Sequence, residues 1–406
     1  MGFRSASSAN FERSGMLTER RILLALFAIA LGLRVLYGAI LTTQPALIAS
    51  SATSELSYAK EITSGIRWIS EPFSPRAPGY PIVLAALYLL SIKQLWLVAF
   101  YQAILGALTV VVVYRLGRLF LGVGLATIAA LWFALHVYHM HLSYSFERDI
   151  LVVLLLMLVL LLVVRPFKRM RYAVIAGLVC TALIHVDSQY LLLLPLFALF
   201  VLFKTRHGLI NIQYLVLFLS VVVVASIPWT IRNYAVYGQP IPIGLEAARF
   251  LRPVKVAATD PGREISDIEG KIVRASRARL IEHNAVEFWR FARFRGEKLP
   301  EGIQPSDTTG VRLLETAWSV RHDLVGILNF GVLLPFFLLG IVVAIRNRHR
   351  TGLMLAAVTA AYFLMRAYLG GTERTRLPID PLVILLAFYG VAALVRRFRR
   401  EAAPPL

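Results

Sequence analysis

The chain has 406 residues, 58% of them hydrophobic and 16% charged, with a mean hydropathy of +0.69. No water-soluble domain has a core large enough to hide that apolar fraction, so the composition excludes a soluble enzyme and points to a multi-pass membrane protein. The formal net charge of +20 is dispersed over short basic loops and is not gathered on one face with aromatic residues, which excludes a nucleic-acid-binding protein.

Residues 1–21 are rich in Ser and basic residues and read as a cytoplasmic lead. Apolar segments then begin near Ile22, Leu95, Leu119, Ile150, Tyr172, Tyr190, Ile210, Leu324, Leu353 and Leu382, which predicts a bundle of about ten spans. The first span carries Arg34 within Leu-Gly-Leu-Arg-Val-Leu-Tyr. An arginine there either meets an anionic group in the bundle interior or snorkels to the interface. The segment is about twenty residues long with no small-residue cleavage site after it, so it reads as an anchor and not as a signal peptide.

The first outer loop, residues 42–94, contains the most unusual stretch of the chain. Between Ser50 and Pro81 it gathers Glu55, Glu61, Glu71, Arg67, Arg76, Tyr58, Trp68 and Tyr80, far more chemistry than a connecting loop needs. The run from Tyr80 to Ile92 is too short to span and is expected to lie along or dip into the outer face as a juxtamembrane helix. With the N-terminus cytoplasmic, this places 19 Lys or Arg against 3 Asp or Glu on the cytoplasmic side, and 22 against 20 on the other. The excess positive charge is then a positive-inside bias, with both termini cytoplasmic.

The span from Leu119 is expected to run outward to about His139 and end in His-Val-Tyr-His-Met-His-Leu-Ser-Tyr-Ser-Phe-Glu-Arg-Asp. His136, His139 and His141, with Glu147 and Asp149, offer donors to a divalent metal, the alternative being interfacial residues at a helix exit. His136 and His139 share a helix face and His141 does not. The three spans from Ile150, Tyr172 and Tyr190 are short, so the turn carrying His185, Asp187 and Gln189 sits low, as either a water-filled recess or a satisfied helix turn. Cys180, alone in an apolar span, leaves disulfide and zinc-thiolate chemistry without a second thiol.

In the next span Pro228 is expected to break the helix, holding Arg232 and Asn233 at membrane level beside Trp229 and Tyr234. Residues 232–323 form a small outer-face region. In it a helical run from Ile265 to Lys298 mixes aromatic residues with Arg290, Arg293 and Arg295, as in a helix lying on a bilayer or packed on the opening loop. The last outer loop concentrates Arg374 and Arg376, a natural seat for an anion.

Four stretches carry a family likeness: Leu-Gly-Leu-Arg-Val-Leu-Tyr in the first span, Arg-Ala-Pro-Gly-Tyr-Pro-Ile-Val-Leu-Ala-Ala-Leu-Tyr before the second, Ser-Ile-Pro-Trp-Thr-Ile-Arg-Asn-Tyr-Ala-Val-Tyr-Gly before the large loop, and Arg-Thr-Arg-Leu-Pro-Ile-Asp-Pro-Leu near the end. In their order and spacing the chain resembles the bacterial GT-C membrane glycosyltransferases of glycosyltransferase family 39, with their aminoarabinose-transferase and protein-mannosyltransferase relatives. The resemblance implies a bacterial inner-membrane location, a polyprenyl-phosphate sugar donor, a periplasmic reaction and a carboxylate in the first outer loop that activates the acceptor. At the family's acidic position, four residues before Tyr58, stands Ser54, with Glu55 beside it. The second acid is matched by Glu147 or, in another register, by Asp149.

The reading is therefore an all-α integral membrane protein with a GT-C-like bundle, juxtamembrane helices in the first outer loop and a small outer-face domain. Residues 22–231 form an N-terminal transmembrane catalytic module, 232–323 a periplasmic helical region, 324–395 the C-terminal spans and 396–406 a basic cytoplasmic tail. Glu55 and Glu147 are the expected catalytic carboxylates. Ser54, Tyr58, Arg76, Tyr80, Asp149, His185, Asp187, Arg232, Arg374 and Arg376 are expected to bind substrate. No metal is assigned to named ligands, a divalent ion remaining one guest for the acidic residues, and the partners are the lipid-linked donor, membrane lipid and an acceptor of open identity. A binder of lipid-linked sugar without turnover and a lipid or solute transporter are the rival readings. Against the transporter, no Asp or Glu stands in the middle of a span and no matching pair of broken helices appears in two halves.

Overall fold

A computed structural model describes residues 6–42, 54–65, 77–165, 167, 169–203, 208–238, 241–244, 277–289, 330–370 and 374–401. Among these residues all regular structure is helical. The chain forms α1 (Ala6–Thr42), α2 (Ser54–Thr63), α3 (Gly79–Leu90), α4 (Leu95–Gly117), α5 (Val123–Ala134), α6 (Val137–His141), α7 (Asp149–Val164) and α8 (Met170–Val186). A 3-10 turn, η1 (Ser188–Leu193), leads into α9 (Leu194–Leu202), followed by α10 (Gly208–Tyr237), α11 (Arg277–Trp289), α12 (Leu333–Arg346) and α13 (Arg350–Leu369). A second 3-10 turn, η2 (Arg374–Ile379), runs directly into α14 (Asp380–Glu401).

Each of the ten apolar segments expected from the sequence contains a helix, but they differ in length. Five described helices are long and apolar enough to cross a membrane: Thr18–Ile40, Leu95–Gly117, Leu209–Tyr237, Arg350–Leu369 and Thr375–Phe398. The others, α5, α7, α8, η1 with α9, and α12, fall short of that length, so the count of about ten full spans is not reached on length alone. α3 has 12 residues, about 18 Å at 1.5 Å per residue against a hydrocarbon layer of about 30 Å. It is a juxtamembrane helix, packed on α2 and touching α4 and α8.

The core runs through α4, α7, α8 and α14. α7 is buried at Ile150, Val152, Val153, Leu156, Val159 and Leu160, and it lies between α4 and α8. α10 packs on α8 but exposes most of its length, as expected of a helix on the lipid side. Pro228 does not break it: α10 continues to Tyr237. Beyond the proline Thr230 Oγ1 donates to the Pro242 carbonyl at 2.6 Å, a tertiary bond that holds the last turns of the helix. The segment 241–244 straps the far end of α10, where Trp229 Nε1 donates to the Ile243 carbonyl at 2.9 Å and Asn233 Nδ2 to the Ile241 carbonyl at 3.1 Å.

Among the described residues, α11 packs on α13. Its Phe288 is fully buried and its Trp289 stacks on Phe330 and meets Phe337 and Phe363, while Asn284 Nδ2 donates to the Ala367 carbonyl at 3.0 Å. Aromatic burial against α13 outweighs the amphipathic pattern that reads as membrane adsorption. The remainder of the run from Ile265 to Lys298 lies outside the described residues.

Apolar side chains gain little by leaving lipid for protein, so helices in a membrane associate where small residues let backbones approach. α12 crosses α14 at such a point: a Cβ on Gly340 would collide with the Leu386 carbonyl, and one on Gly390 with the Phe336 carbonyl. Gly340→Leu is expected to destabilise the protein by about 1–3 kcal/mol through overpacking, whereas Gly124→Ala, which meets nothing within 4 Å, should leave thermal unfolding in detergent unchanged or slightly improved. Equal melting temperatures for the two variants would show that the close crossing of α12 and α14 contributes nothing to stability.

Candidate functional site

Two polar centres lie inside this apolar frame. The first is assembled by the juxtamembrane helices. Gly79, at the start of α3, sits so close to the end of α8 that a Cβ there would fall 2.7 Å from the His185 backbone. This contact sets Tyr80 into the interior, where it is 2% exposed and its hydroxyl accepts a hydrogen bond from Gln102 Nε2 of α4 at 2.6 Å. Burial pushes the phenol well above its usual pKa, the Gln102 bond opposes this, and the charges of Glu55 and Asp149 push it further up. Glu55 at the start of α2 and Asp149 at the start of α7 are thus the two carboxylates whose charge is felt at Tyr80.

Asp149 stands at the helix N-terminus, where the peptide dipoles favour a carboxylate. Arg148, Asp187 and Arg366 lie within its electrostatic reach. Arg148 Nε is 3.8 Å from Asp187 Oδ2, and Asp187 also caps η1 by accepting from the Gln189 N–H at 3.1 Å. Gln189 Oε1 accepts from Arg366 of α13. The turn between α8 and η1 is thus satisfied locally and is also tied by side chains to α7 and α13. Tyr362, whose hydroxyl donates to the Thr375 carbonyl at 2.8 Å, packs beside Tyr190 and closes the space between this centre and η2.

The second centre is more deeply enclosed. Arg376, 1% exposed, places Nε 3.0 Å from Asp380 Oδ1 one helical turn on. It donates to the Phe288 carbonyl at 3.2 Å and stacks 3.6 Å from the Phe330 ring centroid. The other carboxylate oxygen of Asp380 lies 3.5 Å from His136 Nε2 and 3.9 Å from His139 Nε2. Both imidazoles are almost completely buried. Arg34 does not snorkel: it is fully buried and donates to the Ala30 carbonyl at 3.1 Å.

The residues expected from the sequence thus divide. Tyr80 lies buried with the charges of Glu55 and Asp149 acting on it, and Asp187 in turn acts on Asp149. His185, in the last turn of α8, places Nδ1 2.8 Å from the Thr181 carbonyl of its own helix. Glu147 is half-buried just before α7, and Tyr58 is half-buried on α2. Ser54 opens α2 and Arg374 opens η2. Arg76 lies outside the described residues. Arg232 stacks over Trp229 and Tyr237 at 4.9 and 5.6 Å and donates to Asn233 Oδ1 at 3.2 Å.

The histidines do not gather as one set with Glu147 and Asp149. The chain leaves the helix at Leu135 and His136 and restarts as α6, which turns His136 and His139 toward Asp380 and leaves His141 to meet the Tyr37 hydroxyl at 3.2 Å. Gln102, Arg148, Arg366 and Asp380 were absent from the expected site. An Arg within a span, as at 366, and an Asp four residues after an Arg, as at 380, are the signals that point to two of them.

Residues 75–230 match the family described as dolichyl-phosphate-mannose-protein mannosyltransferase, which bears out the resemblance over that stretch. No protein of curated function matches the chain. Among solved structures, the Archaeoglobus fulgidus oligosaccharyltransferase in its apo form is 16% identical over 96% of this chain and 52% of its own, with a TM-score of 0.57. The same enzyme with Zn and sulfate is 17% identical over 94% and 50%, TM-score 0.57. In complex with an inhibitory peptide and a dolichol-phosphate it is 15% identical over 97% and 52%, TM-score 0.58. The chain spans about half the length of these structures and shares their fold, the GT-C architecture expected from the sequence.

Tyr80→Phe would take from the buried Gln102 amide, whose Oε1 already lacks a hydrogen bond, the hydroxyl that accepts from its Nε2. A loss of about 1–3 kcal/mol is expected in thermal unfolding, with much of it regained in the Tyr80→Phe/Gln102→Leu double variant, because removing both polar groups leaves nothing unsatisfied. Additive losses would show that the pair is not coupled.

Proposed function

We propose that the chain is a membrane glycosyltransferase that moves a sugar from a polyprenyl-phosphate carrier to an acceptor at the periplasmic face, with inversion at the anomeric carbon. The observation that carries this reading is the buried Tyr80, bonded to Gln102 and carried by α3 against α2, with the charges of Glu55 at the head of α2 and of Asp149 at the head of α7 both acting on its phenol. The matching family and the shared fold support the substrate class.

In this reading the acceptor hydroxyl or amine attacks the anomeric carbon while Glu55 takes its proton. The bond from the anomeric carbon to the phosphate oxygen breaks, and the polyprenyl phosphate leaves with the electron pair. Asp149 holds sugar or acceptor hydroxyls, and Glu147, two residues earlier, is the neighbouring carboxylate. Charge grows on the departing phosphate, and a guanidinium in a partly dry site stabilises it best. Arg366 is suited to that role because it is half-buried beside Asp149 and its Nε makes no hydrogen bond. Arg376 is less suited, because Asp380 and the Phe288 carbonyl already hold its guanidinium. Arg232, Arg374 and Arg76 remain candidates for the lipid phosphate as it enters or leaves.

The test is donor consumption by the purified protein in lipid, offered a panel of polyprenyl-phosphate sugars. Wild type should turn over one of them, Glu55→Gln should lose about 10²–10⁴-fold in rate as expected for a lost general base, and Ser54→Ala should stay active. Arg366→Gln should lower kcat more than it raises KM if its charge acts on the leaving group. Full activity of Glu55→Gln would overturn the assignment of the base, and a wild type that binds donor without consuming it would make the protein a binder of lipid-linked sugar.

A further inference from the structure

We propose that His136, His139 and Asp380 form a binding site for one divalent transition-metal ion of the zinc type, built from residues other than Glu55 and Asp149. The site does not depend on the glycosyl-transfer reading. It joins the break between α5 and α6 to the first residue of α14, two parts of the chain far apart in sequence.

Three observations converge. One donor atom from each of the three residues lies within 4.8 Å of the other two, and Asp380 Oδ2 is 3.5 and 3.9 Å from the two imidazole Nε2 atoms. Donors bound tetrahedrally at about 2.0–2.1 Å stand about 3.3 Å apart, so a small contraction of side chains suffices. Two of the three facing atoms are left without hydrogen bonds: Asp380 Oδ2 and His139 Nε2 are both buried and make none, whereas in His136 it is the far nitrogen, Nδ1, that has no partner. A buried polar atom with no partner is costly, and here two of them are aimed at one point.

The third observation lies in the groups behind these ligands. Metal-binding carboxylates and imidazoles are held by hydrogen bonds from their far sides. Asp380 presents Oδ1 to Arg376 at 3.0 Å, which leaves Oδ2 to turn to an ion, and His139 makes a backbone hydrogen bond with Leu377. Arg376 and Leu377 belong to η2, so the short turn that launches α14 also fixes the ligand set. Two imidazoles and one carboxylate suit Zn²⁺ and leave a fourth tetrahedral position open.

The experiment uses the full chain in detergent, stripped with EDTA, reloaded with Zn²⁺ or Co²⁺ and freed of excess metal before elemental analysis. One bound ion per chain is expected, with a higher melting temperature in the loaded protein and, for Co²⁺, the intense visible absorption of a four-coordinate site. His139→Gln and Asp380→Asn should each lower retained metal by tenfold or more, while His141→Gln should retain it fully. Arg376→Lys should weaken binding about 10–100-fold, as loss of an orienting partner does. A monodisperse wild type that retains no metal after loading overturns the proposal without any variant, as does equal retention by wild type and His139→Gln.

Discussion

A charge inside an apolar bundle has to be met by an opposite charge or by hydrogen-bond partners, and the ion pair between Arg376 and Asp380 is where this constraint shapes the molecule most. Both residues are almost completely buried. Their pairing one turn apart fixes the passage from η2 into α14, the guanidinium reaches across to the Phe288 carbonyl of α11, and the carboxylate turns its other oxygen to the histidines beside α6. Removal of either partner would strand the other in a medium where an uncompensated charge costs about 3–5 kcal/mol. Three parts of the chain that are remote in sequence are thereby held in one arrangement. The aromatic packing of Phe288, Trp289, Phe330 and Phe363 then fills the space around that anchor.

The short helices explain how polar chemistry is brought below the level of an ordinary loop. α7 and α8 have 16 and 17 residues, so the turns at their ends start within reach of the bundle interior. The juxtamembrane helices close over these turns: Gly79 lets α3 lie against the end of α8, and Tyr80 is carried inward to Gln102. The proposed reaction centre is therefore a product of helix length. A full-length α7 would lift Asp149 away from Tyr80.

Much of the architecture was legible in the hydropathy, because each apolar segment also contains a helix and charge flanks most of them. The unusual content of the first outer loop was legible as well, since Glu55 and Tyr80 stand out by type, and Tyr80 is indeed carried into the interior to Gln102. What the pattern did not carry were contacts that depend on distant parts of the chain. Nothing local tells that the helix breaks at His136, so the histidines read as one exit cluster with Glu147 and Asp149, and their partner Asp380 lies near the far end of the chain. Pro228 reads as a helix breaker because its local effect is certain, whereas the 241–244 strap that holds the helix beyond it is tertiary. α11 reads as a surface helix for the same reason: amphipathicity states that one face is apolar and not what covers it.

On the proposed chemistry, a lipid-linked sugar reacts where the first outer loop meets the head of α7. The most direct measurement is a structure of the protein in a lipid nanodisc with a non-transferable polyprenyl-phosphonate sugar. Sugar density is expected against Glu55, Tyr80 and Asp149, with the phosphonate turned to Arg366. Donor density seated elsewhere, with the space around Tyr80 filled by protein alone, would contradict it.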